Sequence, residues 1–188
     1  MRSLVYLIAV SIDGFIAAPD GGTEMFPQPP EALADYFAEY PEACPAHARD
    51  ALNVTEPARH FDTVLMGART HQPALDAGLT SGYPHLEQYV FSHRALPPGE
   101  NLTVVRGDPV DVVRDLKRRP GRDIWLCGGG DLAAQLVDEI DELHLKVTPV
   151  LLGGGVPLFA GGATLPVELR DTRVLGGSVV LARYRRGQ

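Results

Sequence analysis

Cysteine is nearly absent from this chain. Cys44 and Cys127 are the only two in 188 residues, too few for a disulfide framework, so a reducing, cytoplasmic setting is the expectation. Metal-ligand spacings are missing as well: the six histidines are scattered and none forms H-x-x-x-H, so no metal site is expected. His85-Leu86-Glu87 matches the first half of a zinc deaminase pattern, yet no P-C-x-x-C follows, and it reads as coincidence. No hydrophobic run is long enough to cross a bilayer. The apolar run from Leu4 to Ile12 has the outline of a signal peptide, with Ala17-Ala18 as its cleavage site, but Asp13-Gly14 interrupts it and it reads as a first core strand. The Asn-x-Thr sequons at Asn53 and Asn101 are then chance matches. Basic charge is scarce too, with 17 Lys and Arg against 24 Asp and Glu and a net charge of -7. Without a basic stripe that balance repels a polyphosphate backbone, so neither nucleic acid nor membrane is an expected partner. Repeats, low-complexity tracts and domain linkers are also lacking, which leaves a single domain over residues 1–188.

What is present alternates strand and helix signals. Leu4 to Val10 is a nearly continuous apolar run, as for a central strand covered on both faces. Residues 19–30, rich in Gly and Pro, form a loop longer than compact connections need, of the kind that covers a site. A helix is expected from Glu31 to Tyr40 and a weaker one from Ala46 to Arg59, followed by strands at Thr63–Met66, Gln88–Phe91 and Leu102–Val105. Asp108-Pro109 supplies an N-cap and an N1 proline for a helix that Pro120-Gly121 ends. Ile124 to Cys127 is the next strand, and residues 131–140 read as a helix. Glu142 to Val147 alternates polar and apolar, marking a strand near an edge of the sheet, with His144 turned outward to solvent. Residues 165–175 and 178–184, joined by Gly176-Gly177, read as a terminal antiparallel hairpin. The sum is an α/β three-layer fold: a mostly parallel sheet, an antiparallel C-terminal edge hairpin and helices on both faces.

The chemistry concentrates at strand ends. Gly128-Gly129-Gly130 follows a strand at once, and three residues without Cβ let backbone N–H groups approach an anion closely. Such a turn equally fits plain helix–strand packing with no ligand, and it is not the full G-x-G-x-x-G fingerprint, because Ala133 stands at the last glycine position. Three more strand ends carry glycine or polar residues: Gly67-Ala68-Arg69-Thr70, Ser92-His93-Arg94 and Gly153-Gly154-Gly155. Ligands of open α/β sheets bind at the carboxyl ends of strands, so all four turns are expected around one crevice. Asp131, a carboxylate where a phosphate would lie, is expected to cap its own helix and face away from the ligand.

Taken together, Ser11 to Ala17, Met66-Gly67-x-Arg69-Thr70, Phe91-Ser92-x-Arg94, Gly128-Gly129-Gly130 and the segment from Asp141 to Phe159 resemble the dihydrofolate reductase-like superfamily, and within it the riboflavin-biosynthesis reductase family. The resemblance covers almost the whole chain. It implies that fold, NADPH as cofactor, a small heterocyclic substrate, and a homodimer. It places Gly67, Arg69 and Thr70 on the pyrophosphate, Ser92 and Arg94 on the adenosine 2′-phosphate with His93 as a further contact, Gly128, Gly129 and Gly130 with Asp131 on the opposite pyrophosphate wall, and Ala9 and Ile16 on the nicotinamide side. The planar donor fork of arginine suits phosphate oxygens on independent grounds. Asp13 either polarises a substrate or anchors its own turn, Asp-Gly being a strong turn signal. At the position of the folate-binding carboxylate the chain has Ala32, with Glu31, Asp35 and Glu39 as possible substitutes. This departure favours reduction of a ribosylamino-pyrimidine over authentic folate reduction. Arg49, Arg59 and Lys146 are loose candidates for a substrate phosphate.

Overall fold

A computed structural model describes residues 1–161 and 164–187. Its frame is an eight-stranded sheet of order β5-β4-β3-β6-β1-β7-β10-β9. The strands are β1 (Leu4–Ser11), β3 (Phe61–Gly67), β4 (Glu87–Phe91), β5 (Leu102–Val105), β6 (Asp123–Gly128), β7 (Glu142–Thr148), β9 (Val167–Leu175) and β10 (Val179–Arg186). The first six run parallel, and β10 and β9 add on antiparallel. Two short strands, β2 (Phe15–Ala17) and β8 (Val156–Pro157), pair separately.

Period two sorts the apolar residues of the central strands onto two faces. Val5, Leu7, Val64, Met66 and Trp125 pack under α1 (Pro30–Glu39), against Ala32, Tyr36, Phe37 and Tyr40. Leu4, Tyr6, Leu65, Ile124 and Leu126 pack on the other face against Val113 and Leu116 of α4 (Pro109–Arg118) and Leu132, Ala133 and Leu136 from α5 (Gly130–Gln135) and its end. β1 is buried from both sides, which explains its unbroken run of apolar residues. α4 starts as its sequence dictates: the Asp108 carboxylate accepts from Val110 N at 2.8 Å, and Pro109 occupies the first turn where no N–H is needed. The terminal hairpin closes through Gly176 and Gly177, both at positive φ (50° and 74°), with Ser178 N donating to Leu175 O. A Cβ on Gly176 would also fall 2.4 Å from Ala32 N, so the turn doubles as the seat of α1.

Three expectations need correction. The weak helix from residue 46 is only α2 (Ala46–Arg49): Asn53 sits at φ 51°, left-handed backbone that a helix cannot pass through. The helix after the glycine turn stops at Gln135 and continues to Ile140 as turns, although Leu136 and Ile140 stay buried at helical spacing. His144 is not solvated but 8% exposed, because two strands lie outside β7 and α1 covers its face. Its ring bonds Tyr40 Oη at 2.9 Å and Glu142 Oε2 at 2.8 Å. α3 (Ala68–Asp76) follows β3 directly, with Gly67 at its N-cap position.

Candidate active site

The C-terminal ends of β3, β4, β5 and β6 and the adjoining half of β1 and β7 open on one cleft of about 1330 Å³. It takes in Ala9, Ile16, Gly67, Arg69, Thr70, Ser92, His93, Arg94, Gly129, Gly130 and Asp131 from the sequence-derived set. The loop at residues 19–28 closes one side, through Phe26, Glu24 and neighbouring residues. The cleft has two halves of different character.

The polar half lies over β3 to β6. Gly67 ends β3 and precedes α3, whose first turn presents Arg69 and Thr70. Across from them stands Gly129, where an added Cβ would reach only ordinary contact with Thr70 Oγ1 (3.6 Å) and Ile16 Cδ1 (3.9 Å). A Cβ on Gly67 likewise meets nothing closer than Gly128 O at 3.7 Å. Neither glycine is therefore demanded by protein packing, and both keep the space between the two turns open. Gly130 differs: its Cβ would lie 2.3 Å from Pro157 O, so it is there to let α5 sit on β8. The next strand ends hold Ser92-His93-Arg94 after β4 and Arg106 after β5. Phe91 pairs with Val105, so these two segments leave the sheet side by side. Ser92 Oγ accepts from Arg94 N and donates to Arg94 O, both at 3.0 Å. The hydroxyl expected to meet a phosphate thus shapes the turn that presents Arg94.

Asp131 does not cap α5; Gly129 holds the N-cap position. Its carboxylate faces the cleft and pairs with Arg69 across it, both side chains being well exposed. The expectation that it turns away is corrected: a dinucleotide here would have to draw Arg69 from Asp131 or share it.

The apolar half sits on the α1 face of the sheet. Leu7 and Ala9 of β1, Trp125 and Cys127 of β6, and Lys146 and Thr148 of β7 make its floor, with Leu33, Tyr36 and Phe37 of α1 as a wall and Tyr83 beside Trp125. The Trp125 indole N–H is satisfied by Leu7 O at 2.9 Å, which locks the ring. Burial pushes the Cys127 thiol up to about 12, so it is an inert part of the floor. Burial also lowers the Lys146 amine below the usual lysine range; its Nζ lies 4.6 Å over the Tyr36 ring.

Several candidates fall elsewhere. Asp13 and Gly128 do not line the cleft. Asp13 Oδ1 accepts from Ser11 Oγ at 2.6 Å, while Gly153 N at 2.7 Å and Leu152 N at 3.1 Å donate to its carboxylate, which ties β1's end to the 150s loop. The Ser11 hydroxyl first, and then these amides, hold its carboxyl at about 2. Gly128 is at φ 121°, and a Cβ there would press on Ile8 at 3.1 Å. The fourth turn, Gly153 to Gly155, lies outside the cleft: Gly155 packs on the Ala17 carbonyl, which its Cβ would approach to 2.1 Å. Arg49 and Arg59 are spent on backbone carbonyls of Pro41, Glu56 and Ala38. On α1, Ala32 is buried in the core, Asp35 accepts from Gly176 N and Glu39 pairs with Arg183, so none of the possible substitute carboxylates on that helix faces the cleft. Arg106 was missed, although the strand-end rule that found Arg94 applies to it equally.

A mostly parallel sheet with an antiparallel edge hairpin, and a cleft across its strand ends divided into a glycine-walled polar half and an aromatic half, defines the dihydrofolate reductase-like class of folds. Dihydrofolate reductase from Enterococcus faecalis, solved with NADP(H), superposes at TM-score 0.67 over 99% of this chain and 97% of its own, at 13% identity. Within that class the chain belongs to the RibD C-terminal domain family, whose sequence model matches residues 2–181. A putative riboflavin biosynthesis protein from Shewanella sp. PV-4 is 26% identical with TM-score 0.70, each chain covered completely. The uncharacterised protein YwjB of Bacillus subtilis is 27% identical over 190 residues, 98% of each chain.

Proposed function

We propose that the protein is an NADPH-dependent reductase that delivers hydride to a pyrimidine- or pterin-type small molecule, nearest in kind to 5-amino-6-(5-phosphoribosylamino)uracil reductase. One observation carries this reading: the arginine-bearing strand ends, the open glycine cradle and an aromatic floor share a single cleft. The residues fit the cofactor. Gly67 and Gly129 leave room for a pyrophosphate that no packing constraint explains, and Arg94 and Arg106, both exposed, stand at neighbouring strand ends as donors for a 2′-phosphate. NADPH, when bound, supplies the hydride from its nicotinamide.

The chain's own contribution is placement and exclusion of water. Ala9 and Ile16 present small and apolar surface between the two halves, Tyr36, Phe37 and Trp125 give the substrate half an aromatic lining, and the loop at residues 19–28 covers the opening. No group is assigned as general acid: Asp13 serves the 150s turn instead. Folate reduction is the weaker alternative, since α1 offers the cleft Leu33, Tyr36 and Phe37 and no carboxylate. The family resemblance also favours a homodimer, and the exposed edge strand β9, with Leu169 and Val174 outward, is the kind of edge that a second copy would cover.

The test is oxidation of NADPH, followed by its absorbance, across a panel of ribosylamino-pyrimidines and pterins. Turnover of a pyrimidine supports the proposal. Tight NADPH binding without turnover of any substrate would make the protein a nucleotide binder instead, and no binding at all would end the reading.

A further inference from the structure

Lysine is rarer in this protein than its charge suggests: of 17 basic residues only two are lysines, Lys117 and Lys146. Lys117 is fully engaged, with its ammonium 2.6 Å from Asp141 Oδ2 and 2.6 Å from Glu139 O. Lys146 is the opposite case. It projects from β7 between Ala9 of β1 and Leu181 of β10, neither of which offers an acceptor side chain. Its amine meets a tyrosine face rather than a carboxylate. Burial alone accounts for its shifted titration, with no neighbouring charge contributing. A long, partly buried amine without an anionic partner among the described residues costs stability wherever it is charged, and a hydrophobic residue in its place would pack on Tyr36 without that cost.

The position explains what the cost is for. Arg69, Arg94 and Arg106 all stand in the polar half of the cleft, so Lys146 is the sole lysine or arginine of the aromatic half among the described residues. Tyr36, whose ring lies under the Lys146 amine, and Trp125, further along the floor, make this half aromatic but supply no charge. We propose that Lys146 is the specificity-determining residue of this site, donating to an anionic oxygen on the rim of a planar substrate ring, so that the enzyme selects acidic heterocycles over their neutral counterparts. This rests on the aromatic half being the substrate half. It also parts the chain from folate-type recognition, in which the charged group is a carboxylate on the α1 wall and not an amine in the floor.

Orotate, a planar pyrimidine with a ring carboxylate, and uracil, its neutral counterpart, are suitable probes. Binding is read from the emission of Trp125, the only tryptophan, which lies in the floor. Wild-type protein is expected to bind orotate at least about tenfold more tightly than uracil, and Lys146→Met, matched in length and apolar, is expected to abolish that preference. Lys146→Arg is expected to restore it in part, which a merely structural role would not do. NADPH affinity, measured on the same samples, is expected to stay unchanged in both variants. A wild-type protein without preference for orotate, or a preference that survives Lys146→Met, overturns the proposal. Failure to bind NADPH with the orotate preference intact would count against the reductase reading and not against Lys146.

Discussion

Replacing Arg94 with Ala removes one guanidinium from the polar half without touching the fold, because its side chain is exposed and the turn beneath it is held by Ser92 Oγ and the Arg94 backbone. A charge-assisted hydrogen bond to phosphate contributes roughly 1.5 to 3 kcal/mol. Two features of the structure argue for the lower end. Arg94 is open to solvent, where salt screens it over a Debye length of about 8 Å at physiological ionic strength, and Arg106 remains at the paired strand end to share the load. The expected loss is therefore about 1.5 kcal/mol, or about tenfold in Kd, for NADPH, with NADH nearly unaffected. Quenching of Trp125 on titration with each nucleotide measures both. The discrimination between them should shrink as salt is raised, and Arg94→Ala/Arg106→Ala should lose more than the sum of the single variants, because each arginine covers in part for the loss of the other at one phosphate. Equal weakening of NADPH and NADH, or no change for either arginine, would refute the assignment of this strand pair to the 2′-phosphate.

Asp131→Asn releases Arg69 and removes a negative charge from the cleft; NADPH binding should tighten by a few fold, the gain being small because both partners are exposed, and weaker binding would show the pair to be part of the cradle. Gly130→Ala should cost about 1 to 3 kcal/mol in denaturant unfolding, since its Cβ meets the rigid Pro157 carbonyl, whereas Gly67→Ala should leave stability nearly intact and weaken dinucleotide binding; the reverse pattern would undo the division between packing and binding glycines. His71 is 1% exposed with neither ring nitrogen hydrogen-bonded among the described residues, and burial lowers its pKa below the ordinary imidazole value. The unfolded chain then takes up a proton that the folded one does not, so stability falls as pH drops below about 6.5. His71→Leu should lessen that loss in unfolding experiments at lowered pH, and a steeper loss would mean that the imidazole has a partner. Asp13, held at about 2, works with the opposite charge: its turn is fully supported above the ordinary carboxylate range and released only as pH falls through about 2. Asp13→Asn should speed hydrogen exchange at Leu152 and Gly153 at neutral pH, and unchanged exchange would dismiss the anchor.

Much of this architecture was legible in the residues, for physical reasons. The unbroken apolar run of β1 announces a strand with two covered faces, and Gly176-Gly177 between two extended segments leaves little choice but a hairpin. Strand ends with glycine or arginine pointed to the cleft, because parallel strands deliver their C-termini to one edge. What local pattern cannot carry is the identity of partners distant in the chain. Alternation along β7 gives the side on which His144 and Lys146 lie, but not that α1 and β10 would bury it. Arg69 and Asp131 are 62 residues apart, and nothing around either one signals their pairing. The Gly153 to Gly155 turn looked like a fourth wall of the cleft, yet it packs on β2, since a glycine needed by a neighbouring carbonyl has the same sequence signature as one needed by a phosphate.

For the cleft to work as a reductase site, a phosphorylated dinucleotide must span its polar half and leave the aromatic half free for substrate. A crystal structure of the protein grown with NADPH tests this most directly. Density for the pyrophosphate between Gly67 and Gly129, with the 2′-phosphate against Arg94 and Arg106 and the nicotinamide near Ala9, is the expected result. A nucleotide bound elsewhere, or its adenosine end lying among Tyr36, Trp125 and Lys146, would contradict it.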